Sequence, residues 1–232
     1  MVLRYLYPHA LPQLTMPYSL KERQCFHPQH SETIGDLPSL STEQKKKIKK
    51  IYSLKPGESL LDIGAYMGYG TVRLSKELGA SSKIIAVEAD PDALWLLQHN
   101  LNHNRIENVT VVTKAISNKK GEAIFFKTKR QANSLIQDVV GLTTKVPVET
   151  TTVDEILGGD CVDAISITIN GAEVEAIEGM SDTLERCKHL RLSIAGWYKR
   201  DGIRICDIIS PIFHKAGFNV EVGRKGGVLA WK

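Results

Sequence analysis

Residues 59–70 read SLLDIGAYMGYG, and this stretch decides the fold class. An apolar run ends in an acid, breaks into a glycine-rich turn and then resumes at helical spacing. A buried parallel strand that passes through a loop into a helix has this pattern. The glycines let the backbone turn sharply and approach a ligand closely, and the helix presents unpaired N–H groups at its start. The stretch therefore predicts a cofactor loop of the nucleotide-binding type.

The glycine spacing and a second acid indicate the chemistry of the cofactor. Gly64, Gly68 and Gly70 depart from the dinucleotide spacing G-x-G-x-x-G, and no Gly-Lys-Ser/Thr follows to form a phosphate loop. A second apolar run, KIIAVE, ends in Glu88, which can accept hydrogen bonds from both ribose hydroxyls of an adenosine. A ligand without a pyrophosphate leaves room for Asp62 near a positive centre. S-adenosylmethionine is a ligand of this kind.

The order of elements along the chain predicts the architecture. Helix, strand and loop alternate from the cofactor loop onward, which is typical of a parallel, doubly wound α/β sheet. Residues 218–222 and 228–231 flank a Gly-Gly turn and predict a closing antiparallel hairpin. Residues 1–40 carry many prolines, aromatics and histidines without a clear period. We therefore expect an irregular N-terminal arm at 1–40 and one Rossmann-like domain over 41–232.

Parallel doubly wound sheets bind ligands at the carboxyl ends of their strands. Five loops are therefore expected to share one rim, namely those that begin at Gly64, Glu88, Ala115, Thr168 and Gly196. Ala115 and Ile116 follow the third strand, where a fold of this type usually passes the adenine of its cofactor.

Four segments of the chain carry a family resemblance. They are residues 60–79 (LLDIGAYMGYGTVRLSKELG), 83–104 (KIIAVEADPDALWLLQHNLNHN), 108–126 (NVTVVTKAISNKKGEAIFF) and 151–157 (TTVDEIL). Over about residues 57–179 they resemble the successive motifs of the FkbM-type methyltransferases. The resemblance implies a class I methyltransferase fold with a seven-stranded, mostly parallel sheet, S-adenosylmethionine as cofactor, and methylation of hydroxyl groups.

The cofactor half of the pattern is intact. We expect the cofactor to be bound by Asp62, Gly64, Ala65, Tyr66, Gly68, Glu88, Ala89, Ala115 and Ile116. The carboxylates of Asp62 and Glu88 each follow a predicted buried strand, which favours a cofactor contact over a simple strand-end cap.

The chain departs from the family after the fourth core strand. The family pattern there is Lys-x-Asp-x-Glu-Gly, whereas this chain reads SITING over residues 166–171. Thr168 and Asn170 stand where the family has two acids, and neither side chain ionises at neutral pH. Both can still hydrogen-bond an acceptor or the methionyl end of the cofactor. Metal-assisted transfer is therefore disfavoured, and no metal ligand is predicted.

The candidate catalytic residues are Thr168, Asn170, Tyr198 and Asp201. Tyr198 and Asp201 follow the fifth strand and can accept or relay a proton. Trp197 can stack on a sulfonium or a flat substrate, or it can pack as part of a lid, and both interpretations stay open.

Three functions stay open at this point. The first is a methyltransferase that acts on a hydroxyl of a small-molecule or saccharide-like acceptor. The second is an RNA or protein methyltransferase, because a net charge of +4 and a pI near 8.8 permit nucleic acid as a partner without arguing for it. The third is a non-catalytic protein that binds S-adenosylmethionine. The sequence specifies no oligomeric state.

The cysteines, the termini and the hydropathy indicate the compartment. Four cysteines lie scattered without C-x-x-C spacing, which predicts reduced thiols and a cytoplasmic location. No apolar run approaches membrane-spanning length, and the N-terminus lacks a signal-peptide pattern. Cys25, His27 and His30 lie close together, but they are expected to be ordinary loop residues because a fourth ligand at a recognised spacing is missing.

Overall fold

The computed structural model describes residues 40–127, 134–136 and 144–232, together with Ile34 and Leu37. Most of the predicted arm at 1–40 lies outside the described residues, and so do Cys25, His27 and His30.

The described elements begin with a helix and then alternate between strands and helices. The helices are α1 (Thr42–Ile51), α2 (Tyr69–Leu78), α3 (Pro91–His103), α4 (Val153–Leu157), α5 (Glu173–Glu178), α6 (Ser181–Arg186) and α7 (Ile205–Lys215). The strands are β1 (Leu60–Ile63), β2 (Ile84–Val87), β3 (Val109–Val112), β4 (Ala115–Ile116), β5 (Gly121–Lys127), β6 (Thr144–Thr151), β7 (Ala164–Ile167), β8 (Arg191–Ala195), β9 (Lys199–Arg200), β10 (Ile203–Arg204), β11 (Asn219–Val222) and β12 (Gly227–Trp231).

Seven strands form the main sheet in the order β11-β12-β8-β7-β1-β2-β3. The pairs from β8 to β3 are parallel, whereas β12 runs antiparallel to both β8 and β11. The predicted doubly wound sheet and its closing antiparallel hairpin are both confirmed. Because β1, β2 and β7 are parallel neighbours, the loops that follow them meet at one edge of the sheet.

The strands β4, β6 and β5 form a separate three-stranded sheet. Within it, β5 and β6 pair with each other antiparallel over seven residue pairs. Ala115 and Ile116, expected only as residues that pass the adenine, form a short parallel pair with the end of β6. This small sheet follows β3 directly, so it carries Phe125 to the carboxyl edge of the main sheet.

The main sheet is buried between apolar side chains on both faces. All four residues of β1 and of β7 are buried, as expected for central parallel strands covered by helices. The helix α1 begins with a capping box, a reciprocal pair of hydrogen bonds between Ser41 and Gln44. At its other end the buried hydroxyl of Tyr52 lies 2.9 Å from the carbonyl oxygens of Leu192 and Ala230, which joins α1 to β8 and β12.

The expectation that the cysteines stay reduced is wrong for one pair, because Cys161 and Cys187 form a disulfide with their Cα atoms 5.6 Å apart. A sequence separation of 26 residues gives no sign of this contact. Cys161 lies just before β7 and Cys187 just before β8, and these strands are parallel neighbours. Both cysteines therefore meet at the amino edge of the sheet. Cys206 is free and buried. Of the helices in the described ranges, none has the length and apolar character that crossing a bilayer requires.

Candidate cofactor and active site

A cavity of about 360 Å³ opens at the carboxyl edge of β1, β2 and β7. Its volume falls within the range of small-molecule sites. The small sheet supplies Phe125, and Leu135 lies beside it. The walls are formed by Ile63, Gly64, Ala65, Tyr66, Met67, Tyr69, Gly70, Val87, Glu88, Ala89, Lys114, Ala115, Ile116, Phe125, Leu135, Thr168, Ile169, Asn170 and Ala172. Seven of the nine residues predicted to bind the cofactor line this cavity.

The loop after β1 is tied to the loop after β2. The backbone N–H groups of Gly64 and Ala65 both donate to the carbonyl oxygen of Val87, at 2.9 and 3.0 Å. Tyr66 follows with a positive φ of 52°, which is uncommon for a residue other than glycine. Its N–H donates to Glu88 Oε2 at 2.8 Å. The loop therefore keeps an unfavourable backbone conformation because the next strand provides its hydrogen-bond partners.

Glu88 lies on the cavity wall with its carboxylate held by backbone groups. It is 8% exposed, and besides Tyr66 it accepts N–H bonds from Ala89 and Asp90, both at 2.8 Å to Oε1. Burial raises the pKa of Glu88 above its ordinary value, while the three N–H bonds oppose that shift. The result is an oriented carboxyl group that points to one end of the cavity.

Asp62 and Gly68, the other two predicted cofactor residues, do not line the cavity. Asp62 is 4% exposed and accepts a hydrogen bond from the Thr71 hydroxyl at 2.8 Å, so it joins the end of β1 to the first turn of α2. Gly68 has a φ of 77°, and a Cβ atom there would come within 2.3 Å of Leu97 Cδ1 on α3. Asp62 therefore contacts α2 and Gly68 packs against α3, and both residues stabilise the loop without lining the cavity.

The opposite wall is the loop after β7, where the chain departs from the family. Thr168 and Asn170 both line the cavity, as predicted. Asn170 has a positive φ of 54°, and its side-chain oxygen accepts a hydrogen bond from the Tyr198 hydroxyl at 2.9 Å. Burial raises the pKa of Tyr198, so its phenol stays protonated at neutral pH. Tyr198 therefore contacts the cavity through Asn170 and is a hydrogen-bond donor in this arrangement.

Glu173 supports this wall without lining the cavity, and sequence reasoning missed it. Its side chain is fully buried, and its two carboxylate oxygens accept the N–H groups of Ile169 at 3.0 Å and Gly171 at 2.8 Å. Burial raises its pKa from 4.5 to about 7, against the lowering effect of those bonds. An acid at the start of this helix was the available signal, but the helix also contains Glu175 and Glu178, and acids are favourable at any helix N-terminus.

Asp201 does not approach the cavity walls. It lies at the exposed turn between β9 and β10 with a φ of 50°, a conformation that Asp adopts more readily than most residues. Arg200 of β9 donates from Nη2 to the Gly171 carbonyl oxygen at 2.9 Å and to Glu175 Oε2 at 2.8 Å. Trp197 is 36% exposed and tilted against Tyr198, with the ring centroids 6.2 Å apart.

Among the described residues that line the cavity, two have charged side chains, Glu88 and Lys114. Lys114 forms an ion pair with Glu149 of β6 at 3.0 Å, so its charge is already partnered. Thr168 and Asn170 lie on the β7 side with uncharged polar groups. In the part of the chain that the structure describes, no three His, Cys, Asp or Glu side chains are grouped to hold a metal ion.

Several solved structures are similar to this chain. One is described as an rRNA methylase from Clostridium thermocellum, with 12% identity, coverage of 84% of this chain and 96% of that chain, and a TM-score of 0.50. Another is a SAM-dependent methyltransferase from Aquifex aeolicus, with 20% identity, coverage of 86% and 96%, and a TM-score of 0.47. A third is Aeropyrum pernix fibrillarin with natively bound S-adenosyl-L-methionine, with 11% identity, coverage of 76% and 66%, and a TM-score of 0.48. At such identities the first of these likenesses indicates the fold alone.

No curated protein matches the chain. The family model described as "Methyltransferase FkbM domain" matches residues 62–193, which is more than half of the chain. The match begins at the end of β1 and ends within β8, so it includes both loops that face each other across the cavity. This chain therefore belongs to the FkbM methyltransferase family.

Proposed function

We propose that this protein transfers a methyl group from S-adenosylmethionine to a hydroxyl group of a small-molecule or saccharide-like acceptor. One observation carries the proposal: a single cavity has the oriented carboxyl group of Glu88 at one end and the polar side chains of Thr168 and Asn170 at the other. Membership of a methyltransferase family supports the reaction type.

The residues present fit this cofactor. Glu88 has a fixed carboxyl group that can accept hydrogen bonds from two ribose hydroxyls. Ala115 and Ile116 offer an apolar, buried surface suited to a flat base. Gly64 lines the same cavity with backbone atoms alone, and S-adenosylmethionine would supply an electrophilic methyl group on a sulfonium there.

The residues of this chain act mainly by position. Methyl transfer is an in-line displacement, so holding the acceptor oxygen in line supplies much of the rate. Thr168 and Asn170 can orient that oxygen by hydrogen bonds, and because neither is a base, the hydroxyl proton leaves to solvent as the methyl group passes from sulfur to oxygen. Phe125 and Leu135 exclude water from one side of the cavity.

The first test is calorimetric titration with S-adenosylmethionine and S-adenosylhomocysteine, with NAD as the control ligand. We expect both sulfur ligands to bind at one site per chain and NAD not to bind, because the loop lacks the dinucleotide glycine spacing. Absence of binding by both sulfur ligands would contradict the proposal. Transfer of a labelled methyl group to a panel of sugars, phenols and aliphatic alcohols then tests the acceptor class.

A second candidate is a binding protein that has lost turnover. The uncharged Thr168 and Asn170 favour it, since the family has two acids at these positions. The labelled-methyl assay separates the two functions, because a binder would retain the affinity and transfer nothing.

A further inference from the structure

The backbone around Asn170 is held on both sides by one buried acid. Glu173 Oε1 accepts the N–H of Ile169 and Oε2 accepts the N–H of Gly171, the two residues that flank Asn170 in the chain. The Gly171 carbonyl oxygen accepts a bond from Arg200. Three backbone groups next to Asn170 are therefore fixed by two charged side chains.

This arrangement has an energetic reason. Asn170 adopts a φ of 54°, a left-handed conformation that a non-glycine residue keeps only where its surroundings hold it. A carboxylate that is fully buried carries a desolvation penalty, so it is retained only where its hydrogen bonds offset that penalty. Both features concern the same three-residue loop, and that loop presents Asn170 to the cavity.

We propose that Glu173 is a positioning residue, which fixes Asn170 at the cavity wall through the backbone of residues 169–171 and controls ligand binding without touching the ligand. The inference rests on the proposed function, because it takes the cavity as the site of the methyl donor. Tyr198 completes the arrangement by holding the Asn170 side chain at its oxygen.

The state of Glu173 decides how firmly the loop is held. The ionised carboxylate offers acceptors to both N–H groups, whereas protonation turns one oxygen into a donor and weakens one of the two bonds. Burial puts the pKa of this group at about 7. Glu175 on the same helix raises that pKa further, and the positive charge of Arg200 interacts with Glu173 from the segment after β8, where Tyr198 is a neutral phenol. Ligand affinity is therefore expected to rise with pH across the neutral range.

The direct test is the amide NMR spectrum of the full chain between pH 5.5 and 8.5. The backbone amide signals of Ile169 and Gly171 should titrate together with a midpoint near 7, because both donate to Glu173. The wild-type spectrum alone decides this part, whether or not a variant folds. Amide signals that do not move with pH would overturn the proposal.

The functional test is the affinity for S-adenosylhomocysteine at pH 6 and pH 8, measured by calorimetry. We expect wild-type protein to bind about fivefold to tenfold more tightly at pH 8, because the ionised fraction of a group with a pKa of about 7 rises about tenfold from pH 6 to pH 8. Glu173→Gln should bind with the weaker affinity at both pH values, since its amide can accept only one of the two N–H groups. Asn170→Gly relaxes the positive φ but removes the side chain, so it should lose the same affinity while its backbone amides still titrate.

The matched control is Glu185→Gln, which changes an exposed acid on α6 and should retain the wild-type pH dependence. Glu88 also titrates with a raised pKa, and only a dependence that disappears in Glu173→Gln is assigned to Glu173. Equal affinities and equal pH dependence in wild type and Glu173→Gln would overturn the inference. If wild-type protein binds no S-adenosylhomocysteine at any pH, the proposed function fails, and the amide titration still decides whether Glu173 holds the loop.

Discussion

The backbone of Gly64 lies directly against the carbonyl oxygen of Thr168. A Cβ atom at position 64 would come within 2.1 Å of that oxygen, far inside the limit of any real contact. The strands β1 and β7 are parallel neighbours, so the loops that follow them lie side by side. The contact between these loops is possible only because position 64 has no side chain. The two walls of the cavity therefore form one rigid unit, and the positive φ of 85° gives a second reason for glycine.

Gly64→Ala should damage both stability and ligand binding. The added methyl group meets backbone that cannot move aside, and the positive φ adds strain, so the free energy of unfolding should fall by roughly 2–4 kcal/mol. Urea unfolding measures this change, and calorimetry should show loss of S-adenosylhomocysteine binding.

The control for this variant is Gly158→Ala at the end of α4. Gly158 has a φ of 56° but no atom within 4 Å of its would-be Cβ, so the cost should be only about 1–2 kcal/mol and binding should be intact. Equal effects of the two substitutions would mean that backbone strain alone, and not the contact with Thr168, makes position 64 a glycine.

Glu88→Ala should weaken cofactor binding by roughly 1.5–3 kcal/mol, the usual value of hydrogen bonds to a charged group. The change also removes the acceptor of the Tyr66 N–H and so loosens the loop after β1. Calorimetric titration with S-adenosylmethionine measures the loss. Glu107→Ala, an exposed acid before β3, serves as the control and should bind normally. Unchanged affinity in Glu88→Ala would remove Glu88 from the site.

Glu173 should make the folded protein less stable as the pH rises. Its pKa is about 7 in the folded state and near 4.5 in a solvated chain, so the folded state binds more protons between these values. The stabilisation is fully present below about pH 4.5 and is lost as the pH passes 7, a change of roughly 3 kcal/mol. This dependence has the opposite sign to the expected pH dependence of ligand affinity.

Urea unfolding of wild type and Glu173→Gln at pH 5 and pH 8 measures that effect. The difference in stability between the two proteins should shift in favour of the variant at pH 8, because glutamine does not ionise. Parallel pH profiles would contradict the raised pKa, and the other acids cancel in this comparison.

Removal of the disulfide should affect stability but not the cavity. Replacing both Cys161 and Cys187 by alanine opens a loop with a sequence separation of 26 residues. The chain-entropy estimate for such a loop is about 3.5 kcal/mol of unfolding free energy. Affinity for S-adenosylhomocysteine should be retained, because the bridge lies at the amino edge of the sheet. A reductant should destabilise wild type and leave the double variant unchanged; no effect on wild type would mean that the pair is not bonded in solution.

Much of the fold could be predicted because its strands are local and fully buried. Runs such as LLDI and IIAV are typical of central strands in a covered sheet, and the capping residues Ser41 and Asp90 mark the helix starts. The cofactor loop was predictable for the same reason, since glycines and acids directly follow these strands. The pairing of Cys161 with Cys187 was not predictable, because it depends on which strands are neighbours.

The sequence by itself determined the parallel α/β sheet and the family, because both depend on short, local patterns of apolar residues, glycines and acids. The same patterns predicted seven residues that line the cavity. Only the tertiary structure decided which of the predicted polar residues line the cavity. In that structure Asp62 bonds to Thr71 and Asp201 lies at an exposed turn. Tyr198 contacts Asn170, which is 28 positions away in the sequence. It also buried Glu173 under the loop it supports, which changes the pKa of an otherwise ordinary helix-terminal acid. Burial and hydrogen-bond partners arise from distant segments, so no local pattern contains them.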